Sequence, residues 1–462
     1  MRVLLVVYDD VSYIRYFPHA LAYIAAVLKK HGHDVEVYSQ DLHHWPDEHL
    51  TDYLDRNKFD VLGISLIAGY FQYKRILALS RAINKSKNRP VYVLGGHGPT
   101  PEPEFFFRKT GADVIVQGEG ENTIIDLLEC LGNKTPLSAV SGIAYREGEK
   151  VFINPERPLI QDLDTIPFPA YEMFPIEYYR LLREPHATNL DFVLPLISAR
   201  GCPFTCNFCY RIEKGIRGRK PEYIVEEVKL LQKDYGITYI NFDDELFMYS
   251  TKRTTELCEA FLKADLKFKW SCNGRLNLAK TEILELMKRA GCVYVNYGIE
   301  AMDDLVLKKM NKCLTTDVII QGVETTLKVG ISPGLNILWG NLGEDEETLQ
   351  KGLEFLLKYD DHTTLRTIRP VTPYPGSPLY YIAIKQGLLK DVEDFYENKH
   401  LNSDLLAVNF TALSDDKFHQ LLFDANIKLI ENWAQAQASS RIESARKLYL
   451  EHDASFRGFR QT

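Results

Sequence analysis

Nowhere in its 462 residues does the sequence hold an apolar run approaching the ~20 residues that a membrane-spanning helix needs; residues 3–7 form one of the longest. No membrane span is expected. An excess of basic residues is missing too: 55 Lys and Arg stand against 63 Asp and Glu, a net charge of −8, which argues against nucleic acid as the main partner. Eight cysteines are too sparse for a disulfide framework in a chain of this length. Met1 and Arg2 run straight into a strand-like segment without the cationic, apolar and small-residue regions of a signal peptide, so a cytoplasmic location is expected. No internal repeat or low-complexity tract supports a solenoid or linker reading. What is present, 45% hydrophobic and 26% charged residues, is the composition of a globular protein of two or three domains.

From residue 1 to about 132, β-branched runs at 3–8, 34–38, 61–67, 91–94 and 113–116 alternate with amphipathic stretches at 19–31, 70–85 and 122–131. This alternation predicts a doubly wound α/β sheet of five parallel strands, with ligands beyond the strands' carboxyl ends. Ser65 ends the third strand; Gly95, Gly96 and His97 follow the fourth, and Gly118, Glu119 and Gly120 the fifth. Glycine lets a bulky ligand approach the backbone, although plain turn chemistry is the commoner use. Residues 143–153 alternate around a turn as a hairpin, and 155–195 carry seven prolines with little periodicity, a connector. Strand patterns resume at 192–198, 239–242, 268–272, 293–299, 332–339 and 364–371, each separated by a helical segment, which predicts a partial barrel of six β-α units. Residues 414–449 are helical and are expected to cap the barrel or its substrate.

The segment 198–210, Ser-Ala-Arg-Gly-Cys-Pro-Phe-Thr-Cys-Asn-Phe-Cys-Tyr, gathers Cys202, Cys206 and Cys209 in one CxxxCxxC loop after a strand. Thiolates suit zinc or iron–sulfur clusters, and structural zinc ordinarily needs a fourth ligand at comparable spacing, which does not follow closely. Three cysteines on a four-iron cluster leave one iron open to chelate a small molecule. The alternatives are a zinc knot completed by a distant His, or three thiols packed as small hydrophobes.

With aromatic Phe208 immediately before the last cysteine, the loop resembles the signature of the radical S-adenosylmethionine (radical SAM) superfamily. The resemblance implies a [4Fe–4S] cluster whose open iron binds the amino and carboxylate groups of S-adenosylmethionine, cleaved reductively to a 5′-deoxyadenosyl radical. It further implies cosubstrate contacts at the strand ends: Asp244 and Glu245 after Asp243, Asn273 and Arg275 in Trp-Ser-Cys-Asn-Gly-Arg, and Glu300 in a Gly-Ile-Glu turn. For each of these the plain alternative is a surface pair or a helix cap, against which stands their repeated placement where barrel sites assemble. Residues 340–344 resemble the family's Gly-x-Pro-Gly-Glu turn without its proline, and 373–378 match better.

A doubly wound domain ahead of such a barrel resembles the cobalamin-binding branch, and the turns at 95–100 and 112–121 and the segment 164–169 resemble that branch's motifs; the similarity spans about residues 1–380. It implies cobalamin contacts at Ser65, Gly95, Gly96, His97, Gly118, Glu119 and Gly120. The Asp-x-His-x-x-Gly motif that offers cobalt a lower His ligand is absent; His19 and His97 lack its context, and the loop 9–18 with Tyr13 and Tyr16 is a candidate cover for that face. The related methylthiotransferases carry three N-terminal cysteines, whereas Cys130 here stands alone; Cys258, Cys272, Cys292 and Cys313 are scattered and read as buried free thiols.

The expected architecture is therefore a Rossmann-like cobalamin-binding domain (1–138), a hairpin and Pro-rich linker (139–190), a partial (β/α)6 radical SAM barrel (191–395) and a helical C-terminal cap (396–462). The expected activity is methylation of an unactivated carbon of a small-molecule or lipid-like substrate, with flavodoxin or ferredoxin as electron donor. An oxidative cyclase or ring-rearranging enzyme, like the anaerobic porphyrin-ring cyclase, is the alternative reaction. A non-catalytic cobalamin or iron–sulfur sensor is the alternative of another class, and the Glu245 and Glu300 motifs argue against it.

Overall fold

The computed structural model describes residues 1–10, 16–212 and 214–455. Its first part is a seven-stranded sheet in which β1 (Arg2–Val7), β2 (Asp34–Ser39), β3 (Val61–Ser65), β4 (Val91–Gly95) and β5 (Val114–Val116) run parallel in the order β2-β1-β3-β4-β5. Successive side chains of β1 face opposite ways: Val3, Leu5 and Val7 enter one core and Leu4 and Val6 the other. Burial on both faces, beneath helices on each side, is why these strands read as continuous apolar runs rather than as alternation. The winding reverses between β1 and β3, which opens the ligand crevice at the carboxyl ends of the strands.

The hairpin assigned to the connector is part of this sheet. β6 (Ile143–Glu147) pairs antiparallel with β5, and β7 (Lys150–Ile153) with β6. Ile143, Ala144 and Tyr145 are buried there, and the hairpin covers the edge that the three-residue β5 would otherwise expose.

The second part begins with β8 (Val193–Leu196), followed by the short antiparallel pair β9 (Ala199–Arg200) and β10 (Arg217–Gly218). β11 (Tyr239–Phe242), β12 (Lys269–Gly274), β13 (Cys292–Glu300), β14 (Ser332–Trp339) and β15 (Ile368–Pro370) then complete a six-stranded parallel sheet in the order β15-β14-β13-β12-β11-β8. Its two ends are not joined, so the barrel is partial. Period 2 separates its faces: Ile240, Phe242, Trp270, Val295, Tyr297, Leu335 and Ile337 enter the apolar core under the helices. The alternate positions carry an amide ladder: Asn296 donates to Asn273 at 3.0 Å, and Asn336 donates to Asn296 at 2.6 Å.

Two segments after the barrel depart from expectation. Residues 378–400 pack against the first domain, with Tyr396 stacked on Tyr73 and Phe105, and Lys109 bonded to Glu393 at 2.6 Å. The 36-residue helix Asp415–Leu450, expected to cap the barrel or its substrate, lies along the free edge of the barrel. Phe418 stacks on Trp339 with ring centroids 4.1 Å apart, and Asn426 bonds both the N–H and the C=O of Ile368, standing in for a neighbouring strand. An edge strand with open backbone groups needs such a partner. Among the described residues no helix is long and apolar enough to cross a membrane.

Candidate active site

The three-cysteine loop leaves β8 and is pinned from several sides. Asp244, buried just beyond β11, accepts the N–H groups of Ser198 and Ala199 at 2.6 and 3.0 Å and the hydroxyl of Ser198, so both its oxygens brace the start of the loop. Burial raises its carboxyl to about 6, against the pull of these bonds. Asn207, between the second and third cysteines, exchanges amide hydrogen bonds with Asn341 and donates its backbone N–H to the Met310 carbonyl at 2.9 Å. Asn311 donates to the Thr205 carbonyl at 3.0 Å, and Arg211 to that of Cys202 at 3.3 Å. Asp244 and Asn341 fall within the strand-end and turn motifs, whereas Asn311 and Arg211 carry none, and Asn207 was recognisable only as a polar residue inside the cysteine signature.

Cys206 is buried, Cys202 half-buried and Cys209 exposed. Cys209 keeps some surface exposed yet is crowded by its neighbours, and burial pushes its thiol up to about 12, with charge on Cys206, Glu300 and Cys202 acting in the same direction. Burial also raises Cys206, while the cations Lys312 and Arg275 pull it down. The Arg275 guanidinium lies 3.6 Å from the Phe204 ring centroid and donates to the carbonyls of Lys312 and Cys313. Lys312 donates to Glu300 at 2.7 Å in a buried pair. Glu300 has φ +69°, a left-handed backbone that a non-glycine residue adopts only when its surroundings enforce it, and β13 bulges beside it. Lys312 is a site residue that spacing alone did not announce. Cys313, expected among buried thiols, is exposed; it lies on the loop 310–315, whose Met310 and Asn311 hold the cysteine loop.

Among the described residues no group of three His, Cys, Asp or Glu side chains could hold a metal ion. A four-iron cluster takes each thiolate on a different iron, so its sulfurs stand further apart than the ligands of one ion. Three thiols on one loop, close enough to raise one another and flanked by two cations, suit that anionic group. This arrangement gives no support to the single-zinc alternative.

The other expected contacts lie around the same mouth. Asn273 donates to the Asp244 carbonyl at 2.8 Å, and Phe208 packs against the core. Glu245 is exposed toward Arg211 and Arg217, its carboxyl raised by burial. Glu344 folds back onto the Asn341 N–H at 2.7 Å, closing the turn that lacks proline, and burial raises it to about 8. Below the mouth, Asn241 donates at 3.3 Å to Glu184, a linker residue raised to about 7 by burial and by Asp243.

The first domain brings its turns to this loop. Gly96 has φ +96°, and a Cβ there would stand 2.5 Å from the Leu66 carbonyl. Gly118 has φ +80° with nothing within 4 Å of an added Cβ, a bare stretch of backbone at the end of β5 that suits a large planar ligand. Ser65 and Gly95 are level neighbours at the ends of β3 and β4. His97 meets Tyr210, the residue after Cys209, edge to face at 6.3 Å. A Cβ on Gly376 would touch both Tyr210 and Pro101, so the 373–378 turn closes against both loops. Gly120 packs near Ile24. Glu119 turns away to Arg200 and Arg217. His19 is buried beside Phe17 and Tyr23 and is lowered by burial to about 3, and Tyr16 pairs its phenol with that of Tyr8. Tyr13 lies outside the described residues.

Residues 196–356 match the Radical SAM superfamily and residues 6–128 the B12 binding domain. An uncharacterized methyltransferase of Pyrococcus horikoshii is 30% identical over 377 residues, covering 80% of this chain and 79% of that protein. The anaerobic magnesium-protoporphyrin IX monomethyl ester cyclase of Rubrivivax gelatinosus is 29% identical over 79% of this chain and 65% of its own length. Among solved structures, the radical S-adenosylmethionine methyltransferase TsrM from Kitasatospora setae, with cobalamin and a [4Fe-4S] cluster bound, aligns with a TM-score of 0.67 at 18% identity, covering 83% of this chain and 75% of that one. The cobalamin-dependent enzyme OxsB aligns with a TM-score of 0.66 at 20% identity, covering 84% of this chain and 55% of that one. A sheet that presents bare glycine turns, a barrel that presents three clamped cysteines and these matches across both halves agree: the chain belongs to the cobalamin-binding radical SAM enzymes.

Proposed function

We propose that the enzyme methylates an unactivated carbon of a small-molecule or lipid-like natural product. The observation that carries this reading is the meeting of the two cofactor loops, where Tyr210 beside Cys209 faces His97 and shares the Gly376 contact with Pro101. When bound, the cluster supplies the electron that cleaves S-adenosylmethionine to a hydrogen-abstracting 5′-deoxyadenosyl radical, and cobalamin carries the methyl group. Cys202, Cys206 and Cys209 hold the cluster, and Lys312 and Arg275 place positive charge beside its thiolates. Phe208, Glu245, Asn273, Arg275 and Glu300 surround the cosubstrate, while Asp244 acts one step back by bracing the loop. Ser65, Gly95, Gly96, His97, Gly118 and Gly120 form the corrin cradle. Packing of the two domains' loops against each other keeps water from the radical. Methyltransferase relatives support the reading, among them a hopanoid C-3 methylase of Methylococcus capsulatus at 23% identity over 83% of this chain.

The cyclase relatives favour a second reading, oxidative cyclisation or ring rearrangement. In both readings the enzyme is cytoplasmic, takes electrons from a flavodoxin or ferredoxin and has no nucleic-acid partner. Anaerobic incubation of reconstituted protein with S-adenosylmethionine, cobalamin and a strong reductant separates them by mass spectrometry. Formation of 5′-deoxyadenosine together with cobalamin-dependent S-adenosylhomocysteine is expected. Deoxyadenosine alone favours cyclisation, and neither product revives the sensor.

A further inference from the structure

The acid at the end of β5 does not face the cofactor crevice. Glu119 accepts Arg200 Nη1 at 2.9 Å and Arg217 Nη1 at 3.0 Å on Oε1, and Arg217 Nη1 at 3.0 Å and the Ile160 N–H at 2.7 Å on Oε2. Its side chain is 4% exposed. With both oxygens engaged twice, it has no remaining reach toward a corrin amide. Glu121, also buried, takes the second prong of Arg200, which holds its carboxyl below the usual range against the effect of burial. Arg200 in turn stacks near the Tyr23 ring, 5.3 Å from its centroid.

The sequence positions make this network informative. Glu119 and Glu121 flank Gly120 in the turn that ends β5, and Arg200 in β9 is two residues ahead of Cys202. One guanidinium therefore joins the cobalamin turn directly to the cluster loop, across the domain boundary. A two-pronged Arg grip fixes orientation as well as distance, which a single-point contact does not.

On the proposed function, we infer that Glu119, Glu121 and Arg200 are positioning residues that set the separation of cobalamin and cluster, and that Glu119 does not itself contact cobalamin. The network holds the two loops at one spacing, and its loss loosens that spacing while leaving both binding sites intact.

The test uses reconstituted holoenzyme carrying Glu119→Gln, Arg200→Lys or both. Arg200→Lys keeps the charge and removes the two-pronged grip, so it guards against a variant that merely fails to fold. Iron and cobalamin content are measured first, then the electron paramagnetic resonance of cobalt(II) with the cluster oxidised and reduced, then the rate of S-adenosylhomocysteine formation. Each single variant is expected to retain both cofactors, to change the cluster-dependent broadening of the cobalt signal and to slow S-adenosylhomocysteine formation at least tenfold. The double variant should be no slower than the slower single one, because residues of one network do not act additively. Loss of cobalamin from Glu119→Gln with the cluster retained overturns the inference in favour of direct contact. Unchanged broadening and rate with both cofactors bound overturn it in favour of a purely structural network. A wild-type protein that retains no cobalamin overturns the proposed function and this inference with it.

Discussion

At the scale of single residues, the cysteines and the glycines carry separable tests. Cys202, Cys206 and Cys209 lie on a loop outside the barrel strands, so Cys→Ala at any of them is expected to abolish the cluster's visible absorbance and leave the far-ultraviolet dichroism unchanged. Cluster absorbance that survives contradicts their assignment. Gly96→Val combines a φ of +96° with a Cβ 2.5 Å from the Leu66 carbonyl. A β-branched residue there costs about 1–3 kcal/mol of backbone strain and displaces the cradle. Cobalamin retention should fall at least tenfold while iron content holds, and equal retention of both would remove Gly96 from the cradle. The cysteine spacing was legible in the sequence because all three proposed cluster ligands lie on one local loop. Asn207 was not, since its partners Lys309 and Asn341 lie more than a hundred residues away; nor was Lys312, whose pairing with Glu300 depends on how the intervening helix, residues 304–309, folds the chain back.

At the scale of elements, the C-terminal helix divides into two parts. Its first half buries Phe418, Leu422, Ala425 and Leu429 and caps the edge of β15 through Asn426. Its last turns, residues 438–450, bury nothing. Asn426→Leu leaves the N–H and C=O of Ile368 without that partner and should lower stability by about 1–3 kcal/mol in chemical denaturation. Truncation after residue 437 should leave the denaturation midpoint unchanged, and a matching loss from both changes would make the whole helix structural. The helix itself was readable from its richness in Leu, Ala and charged residues and the lack of turn residues. Its place was not, because a cap over the mouth and a strap along an edge demand the same amphipathic pattern. The β6–β7 hairpin illustrates the same limit: alternation announced two strands and could not say which sheet lacked a neighbour.

At the scale of the whole molecule, buried carboxyls tilt the pH dependence of stability. Glu344 and Asp244 are 5% and 1% exposed, and burial raises them to about 8 and about 6 from ordinary values of 4.5 and 3.8. A carboxyl raised in the folded state binds its proton more tightly there than in the unfolded chain. Its contribution is complete below the unfolded value and is lost as pH rises through the folded one. Stability is therefore expected to fall between about pH 4.5 and 8 from Glu344, and Glu344→Gln should flatten that slope. A slope unchanged by the substitution would assign it to other groups.

The sequence by itself determined the two α/β halves, the cysteine loop and the glycine turns, because strand period, helix period and ligand spacing are local properties of the chain. Only the tertiary structure decided which acids are enclosed in ion pairs and which stay exposed. Glu119 and Glu245 are equally plain carboxylates after strand ends, yet Glu119 is buried in ion pairs with Arg200 and Arg217 while Glu245 stays exposed near Arg211 and Arg217. That difference is set by what packs across the domain boundary, and a carboxylate's role follows from the charges that long-range packing brings to it.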